Sequence, residues 1–299
     1  MSFLAYARLL RLPNVFTAMA DIGLGALATD AVPEHIPRFL LVLGCSSVLY
    51  SAGMVWNDFF DVEQDRRERP FRPLPSGNVS TTTALVLGVL LLVIGLACAV
   101  VADLASEGTT WQSSALAGCL VAAILLYDGW LKRTWAGPLA MGACRFLNVL
   151  LGLSVAGQAL APLGLMLALV VGLYIVGVTW FARTEAALSQ QSALRGAAGV
   201  MLGAILLALT LPVLSEQDRP PSILFPYLLV AFGLYLGAAL LPAIARPMPT
   251  LVQAAVKRAV LGLILLDAVL ATALAGNVGL VLVLLLIPAR MLGRWVYST

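Results

Sequence analysis

Residues 57–77 read Asn57-Asp-Phe-Phe-Asp61-Val-Glu-Gln-Asp65-Arg-Arg-Glu-Arg-Pro-Phe-Arg72-Pro-Leu-Pro-Ser-Gly77. In a chain with only 11% charged residues, positions 57–72 hold five carboxylates and four arginines. Apolar runs lie directly before and after. Helical periodicity sets Asn57, Asp61 and Asp65, at i, i+4 and i+8, along one slowly drifting stripe. Hard divalent cations such as Mg²⁺ choose oxygen ligands of this kind and often share them with a phosphate. A charged loop serving topology alone rarely repeats an amide and carboxylates at helical spacing.

Outward from this stretch the chain is apolar. Its 299 residues are 61% hydrophobic, with a mean hydropathy of +0.97. Windows near bilayer length recur over residues 12–29, 38–57, 82–103, 112–128, 137–157, 162–182, 197–214, 223–243 and 256–275. The expected fold is an all-α, polytopic transmembrane bundle forming one domain over 1–299. It has nine helices and a short tenth if Val278–Pro288 continues through Met291 to Tyr297. The first window carries Asn14 and Asp21 and has no cleavage site followed by a soluble domain, so it does not read as a secretory signal. Nucleic-acid binding is excluded by the lack of a basic stripe with interleaved aromatics, and no protein partner can be inferred. Cys45, Cys98, Cys119 and Cys144 fall inside apolar runs without metal spacing and read as small buried residues.

Basic residues orient the bundle. Thirteen of them, from Arg8 and Arg11 through Arg66–Arg72, Lys132, Arg133, Arg183 and Arg195 to Arg246, Lys257 and Arg258, fall on one side, against Arg38 and Arg219 on the other. The positive-inside rule makes the N-terminus and the loops after spans 2, 4 and 6 cytoplasmic. A tenth crossing brings Arg290 and Arg294 to that side as well.

Each of those three loops carries polar chemistry. Arg72, set between prolines, is a forked donor suited to phosphate oxygens. In the second loop, Lys132 is a point charge able to reach a phosphate, and Tyr127 is a hydrogen-bond donor at a helix end. Arg145 and Asn148 follow on one face of span 5. An arginine at that depth faces either a polar cavity or an acidic partner, for which Asp21 and Asp267 are available. Asn14 either lines a cavity or bonds a neighbouring helix. The third loop holds Arg183 and one carboxylate, Glu185, which is a weak metal site or an ion pair capping its helix.

The pattern Asn57-Asp-x-x-Asp61-x-x-x-Asp65, followed by Arg72-Pro-Leu-Pro-Ser-Gly77, resembles the first aspartate-rich motif of the UbiA superfamily of intramembrane prenyltransferases. Tyr127-x-x-x-Leu-Lys132-Arg133 and Asn148-x-x-x-Gly152 match that family's second loop. The resemblance implies a nine-helix bundle around a cavity open to lipid. It also implies Mg²⁺ held by two aspartate-rich motifs, a polyprenyl diphosphate donor and a small-molecule acceptor. On that reading Asp61, Asp65, Lys132 and Tyr127 serve catalysis, with Asn57, Asp61, Asp65, Glu185 and Asp128 at the metal. Asn57, Arg72, Arg145, Asn148, Arg183 and Asn14 then bind substrate. The third loop departs from the family, with Arg183 and Glu185 where a second Asp-x-x-x-Asp is usual, and Asp128 is a candidate for the missing oxygen ligand. The stretch Thr179-Trp-Phe-Ala-Arg-Thr-Glu185 and the residues around Arg145 are similar to a divergent branch, UbiA-like protein EboC. Two functions stay open: Mg²⁺-dependent prenyl transfer, or binding or transport of an isoprenoid or small metabolite on the same fold.

Overall fold

The computed structural model describes residues 3–105, 110–183, 189–214 and 222–296. Among these residues there is no strand. A short helix α1 (Phe3–Leu9) leads into α2 (Leu12–Ala28), α3 (Ile36–Phe60) and the charged α4 (Val62–Glu68). Then come α5 (Thr81–Leu104), α6 (Gln112–Gly129), α7 (Gly137–Leu153), α8 (Pro162–Ala182), α9 (Gln191–Ala208) and a one-turn α10 (Leu211–Leu214). The chain continues with α11 (Phe225–Ala245), α12 (Pro249–Ala275), a 3₁₀ stretch (Gly276–Leu285) and α13 (Leu286–Trp295). Eight segments, counting α12 to α13 as one, are long and apolar enough to cross a membrane, and the 17-residue α2 is a further apolar helix. The protein is an integral, multi-pass membrane protein.

Local sequence sets the helix starts. Proline stands at the first or second position of α2, α3, α7, α8, α11 and α12, where its missing N–H costs nothing and its fixed φ suits the first turn. Ser80 caps α5 by accepting the Thr83 N–H at 3.0 Å. At the opposite end of the bundle, buried Asp103 accepts the backbone N–H groups of Ser113 (3.2 Å) and Ser114 (2.8 Å), so the end of α5 caps the start of α6. Val86, Val89, Leu90, Val93 and Ile94 form an exposed apolar face on α5. Such a face suits contact with lipid, not water. Of the cysteines, Cys45 and Cys144 are buried as expected, whereas Cys119 is exposed on its helix.

The tail settles how the last apolar piece is used. Gly276 turns the chain with φ +67°, and a Cβ on Gly279 would meet the α12 backbone at Ala271 at 2.6 Å. Leu282 then packs onto Gly23, and Gly293 reaches Pro13 at the start of α2. The tail therefore runs antiparallel to α2 along the bundle. A 3₁₀ helix rises about 2.0 Å per residue, so these residues cover roughly 35 Å, enough for a hydrocarbon core of about 30 Å. Arg290 and Arg294 consequently lie toward the end of the bundle that holds Arg11.

Glycines bring the site-bearing helices together. A Cβ on Gly25 of α2 would sit 2.6 Å from backbone atoms of Gly152 and Leu153 on α7, and one on Gly152 would sit 2.8 Å from the Ile22 carbonyl. Backbones this close are what small residues permit between membrane helices. Gly152→Val is therefore expected to force α2 and α7 apart and lower the unfolding temperature in detergent. Gly44→Ala, with no atom within 4 Å of its Cβ position, is expected to leave it unchanged.

Candidate functional site

The helix carrying the acidic stretch pauses at Asp61, which ends α3 and begins α4 with φ −97° and ψ 3°. Helical bonding nearly continues through it, with Asp61 N–H to the Asn57 carbonyl (3.1 Å) and Asp65 N–H to the Asp61 carbonyl (2.8 Å). The backbone keeps the expected stripe, but the side chains separate to different partners. Asn57 Nδ2 donates to Asp128 Oδ1 at 2.9 Å. Asp61 accepts from Lys132 Nζ at 2.7 Å and from Arg133 at 3.3 Å. Asp65 is buried and accepts from Arg72 at 2.7 Å. Lys132 also lies 3.9 Å from Asp128 and so links the two loops.

Arg72 is placed by its own loop. Leu74 and Val79 are buried against Leu9, Val55 and Ala84, and Gly77 supplies the positive φ (+76°) that closes the turn. The Arg72 guanidinium thus sits between Asp65 and Asp58, the latter at 3.4 Å. Asp58 in turn receives Arg11 at 3.2 Å. Arg11 lies between α1 and α2 in the left-handed region, φ 46°, which is uncommon for a residue other than glycine. Asp58, Asp61, Asp65 and Asp128 are thus matched by Arg11, Arg72, Lys132 and Arg133 around one mouth.

Below the mouth lies a cavity of about 260 Å³. Arg11, Asn14, Asn57, Tyr127 and Asp128 line its polar end, and Ser46, Tyr50, Arg145 and Asn148 line a second polar region. Leu120, Ile124, Met141, Ile175, Val178 and Leu263 are among its apolar lining residues. Arg145 both faces the cavity and is paired. It donates to Asp21 (3.0 Å) and Thr17 (2.8 Å), and its guanidinium stands 5.3 Å from the centre of the Tyr50 ring. Asn148 donates to Asp21 (2.8 Å) and the Ala18 carbonyl (3.0 Å) and accepts from Ser46 (2.7 Å). Both readings of Arg145 open in the sequence therefore hold together.

Asn14, Asn57, Tyr127, Asp128, Arg145 and Asn148 thus share one cavity, and Asp61 and Lys132 stand at its rim. Asp65 and Arg72 pair with each other beside it. Arg183 is exposed and donates to the Thr134 carbonyl at 2.5 Å, tying the end of α8 to the second loop. Glu185 lies outside the described residues. Arg66 and Arg67 pair locally with Glu63 in solvent, away from the cavity. Sequence reasoning missed Arg11, Asp58 and Tyr50. In the sequence Arg11 reads only as a charge setting orientation, and its contact with Asp58 is a tertiary fact.

Among the described residues no three His, Cys, Asp or Glu side chains converge as a metal cluster. Mg²⁺ needs fewer: it is commonly held by one or two carboxylates, with phosphate oxygens and water completing the shell. Asn57, Asp61 and Asp128, joined to one another through Lys132 and a direct hydrogen bond, fit such a site.

A helical membrane bundle with paired acids and bases over a largely apolar cavity is thus what the described residues present. The chain belongs to the UbiA prenyltransferase family, whose model matches residues 15–247. It is similar to the digeranylgeranylglyceryl phosphate synthase of Saccharolobus solfataricus, 32% identical over 104 residues, which is 35% of this chain and 37% of that protein. The counterpart in Methanocaldococcus jannaschii is 36% identical over 91 residues, 30% of this chain and 32% of that one. The chain thus spans only about a third of the length of these two curated relatives. In fold it is similar to a structure reported for digeranylgeranylglyceryl phosphate synthase in membranes (TM-score 0.63, 21% identity, 91% of this chain and 98% of that one). A UbiA homologue from Archaeoglobus fulgidus bound to DMAPP and Mg²⁺ gives TM-score 0.58 and 17% identity, over 85% of this chain and 97% of that one. The likeness to the EboC branch rests on the sequence stretches alone.

Proposed function

We propose that the protein transfers a prenyl group from a polyprenyl diphosphate, with Mg²⁺, to an acceptor held in the membrane cavity. The observation that carries this reading is the charged mouth set directly over the cavity, with Asn57, Tyr127 and Asp128 belonging to both. The cavity's apolar lining suits an isoprenoid chain and excludes water from a reactive allylic centre. Because the mouth already matches its acids with bases, an arriving diphosphate needs additional positive charge, which suits its entry together with a divalent cation. Asn57, Asp61 and Asp128 would hold that Mg²⁺, which offsets negative charge on the diphosphate when bound.

The chain's own residues account for the rest. Arg11, Lys132 and Arg72 supply fixed positive charge as the bond from the prenyl C1 to the diphosphate oxygen breaks and its electron pair leaves with the diphosphate. The acceptor then forms its bond to C1 and gives up a proton. Asp65 and Asp58 act as positioning residues, since they touch Arg72 and Arg11 at the mouth's edge. The excess of basic residues at this end of the bundle supports a cytoplasmic mouth and N-terminus.

The test is incubation of the purified chain in lipid nanodiscs with labelled prenyl diphosphates and Mg²⁺. Diphosphate release and prenyl transfer are measured, and the product named in the relatives, digeranylgeranylglyceryl phosphate, is the first to seek. Transfer that needs Mg²⁺ is the expected result. The acid–base pairing also favours a second reading, a binding or transport protein for the same amphiphiles. Movement of the diphosphate lipid without covalent change, surviving loss of Asp61 and Asp65, would replace the first reading with the second.

A further inference from the structure

The cavity's arginine pair has an unused neighbour. Asp267, on α12, is fully buried, and neither of its carboxyl oxygens has a hydrogen-bond partner among the described residues. Its carboxyl stands within hydrogen-bonding reach of that of Asp21 on α2. Asp21 Oδ2 accepts from Arg145 and Asn148, but Asp21 Oδ1 is likewise unpartnered. Among the described residues, no ion pair other than that of Arg145 with Asp21 reaches these two acids. Tyr174 on α8 donates its hydroxyl to the Ala259 carbonyl, Tyr50 on α3 lies against Arg145, and Arg258 on α12 lies against Tyr235 of α11. A buried carboxylate with neither donor nor counter-ion is among the least favourable arrangements in a membrane.

A single proton resolves every unsatisfied atom but one. We propose that Asp21 and Asp267 form an intramembrane proton-binding site, in which a proton on Asp267 is donated to Asp21 Oδ1 and the cluster with Arg145 is electrically neutral. The bound proton ties α12 to α2. Val260 and Leu263 of α12 and Asn14 and Ala18 of α2 line the cavity, so the tie holds two of its walls together. It stands independently of the reaction at the mouth.

Infrared difference spectroscopy on the full chain in lipid tests this. The wild type is expected to show a deuteration-sensitive carbonyl stretch of a protonated carboxylic acid, and Asp267→Asn to lose it. Asparagine keeps a neutral donor toward Asp21, so Asp267→Asn is expected to unfold at the wild-type temperature, whereas Asp21→Asn, which removes the partner of Arg145, unfolds at a lower one. No such band in the wild type, or a band that persists in Asp267→Asn, overturns the proposal. So does an Asp267→Asn protein that fails to fold or is as destabilised as Asp21→Asn.

Discussion

Replacing Asp61 by alanine is expected to lower turnover of a prenyl diphosphate about a hundredfold to a thousandfold, the scale on which one preorganised transition-state contact acts. Asp61 is the rim carboxylate that receives Lys132 at 2.7 Å and Arg133 at 3.3 Å. On the proposed reading it is also one of the two acids that would hold Mg²⁺. Its loss would then remove an oxygen ligand, and it releases the lysine from the geometry that aims it at the mouth. Lys132→Ala is expected to fall comparably in kcat, and Lys132→Arg to recover only part of it, since a planar fork does not reproduce a point charge. Asp65→Asn should behave differently. Its carboxylate touches Arg72, not the cavity, so the expected change is a raised KM with kcat less affected. Steady-state assays across Mg²⁺ concentration separate the cases: Asp61→Ala should need more Mg²⁺, and Asp65→Asn should not. Equal Mg²⁺ dependence in Asp61→Ala and the wild type would remove Asp61 from the metal.

The second large effect is on stability. Removing Arg145 alone, as Arg145→Ala, is expected to cost about 3–5 kcal/mol, because Asp21 is then left as a buried acid without its cation. The cost arises mainly from desolvation of the abandoned partner and less from the attraction lost. Replacing Asp21 and Asp267 by leucine together with Arg145 by methionine, so that no buried acid is abandoned, should therefore recover much of the stability, since apolar side chains of similar size often substitute for a buried charged cluster without loss. Thermal unfolding in detergent measures both. The same triple replacement strips Arg145 from the cavity, so its stability and its activity should part company: folded, yet altered in substrate binding. If Arg145→Ala unfolds at the wild-type temperature, the pair does not hold α2 to α7.

Much of this architecture was legible in the chain. Apolar windows are a local signal, and they located the long helices, with ends differing by a few residues, or by up to about two turns at the starts of α9 and α12. The acidic stretch and the Tyr127–Arg133 loop were legible because helical spacing and residue type survive in one dimension. Arg11 was not: nothing in a short basic N-terminus distinguishes a charge that orients a membrane helix from one that turns inward to Asp58. Nor did spacing reveal that Asp61 and Asp65 part company, because the pause in the helix at Asp61 and the inward fold of the Arg72 loop depend on Leu74 and Val79 finding the core. The use of the last apolar piece turned on a 3₁₀ stretch whose greater rise per residue comes with close packing of Gly279 on α12.

Residue type and helical period, written along the chain, were enough to define a helical membrane bundle with an acidic, phosphate-suited loop, because burial in lipid and metal affinity depend on chemistry that each residue carries with it. Which acid meets which base could be read only from the folded bundle. Asp21, Arg145 and Asp267 lie more than a hundred residues apart in the chain, and they meet because Gly25 and Gly152 let α2 and α7 touch while α12 packs against α2. Contacts of that kind depend on interhelical distance, which no local pattern encodes.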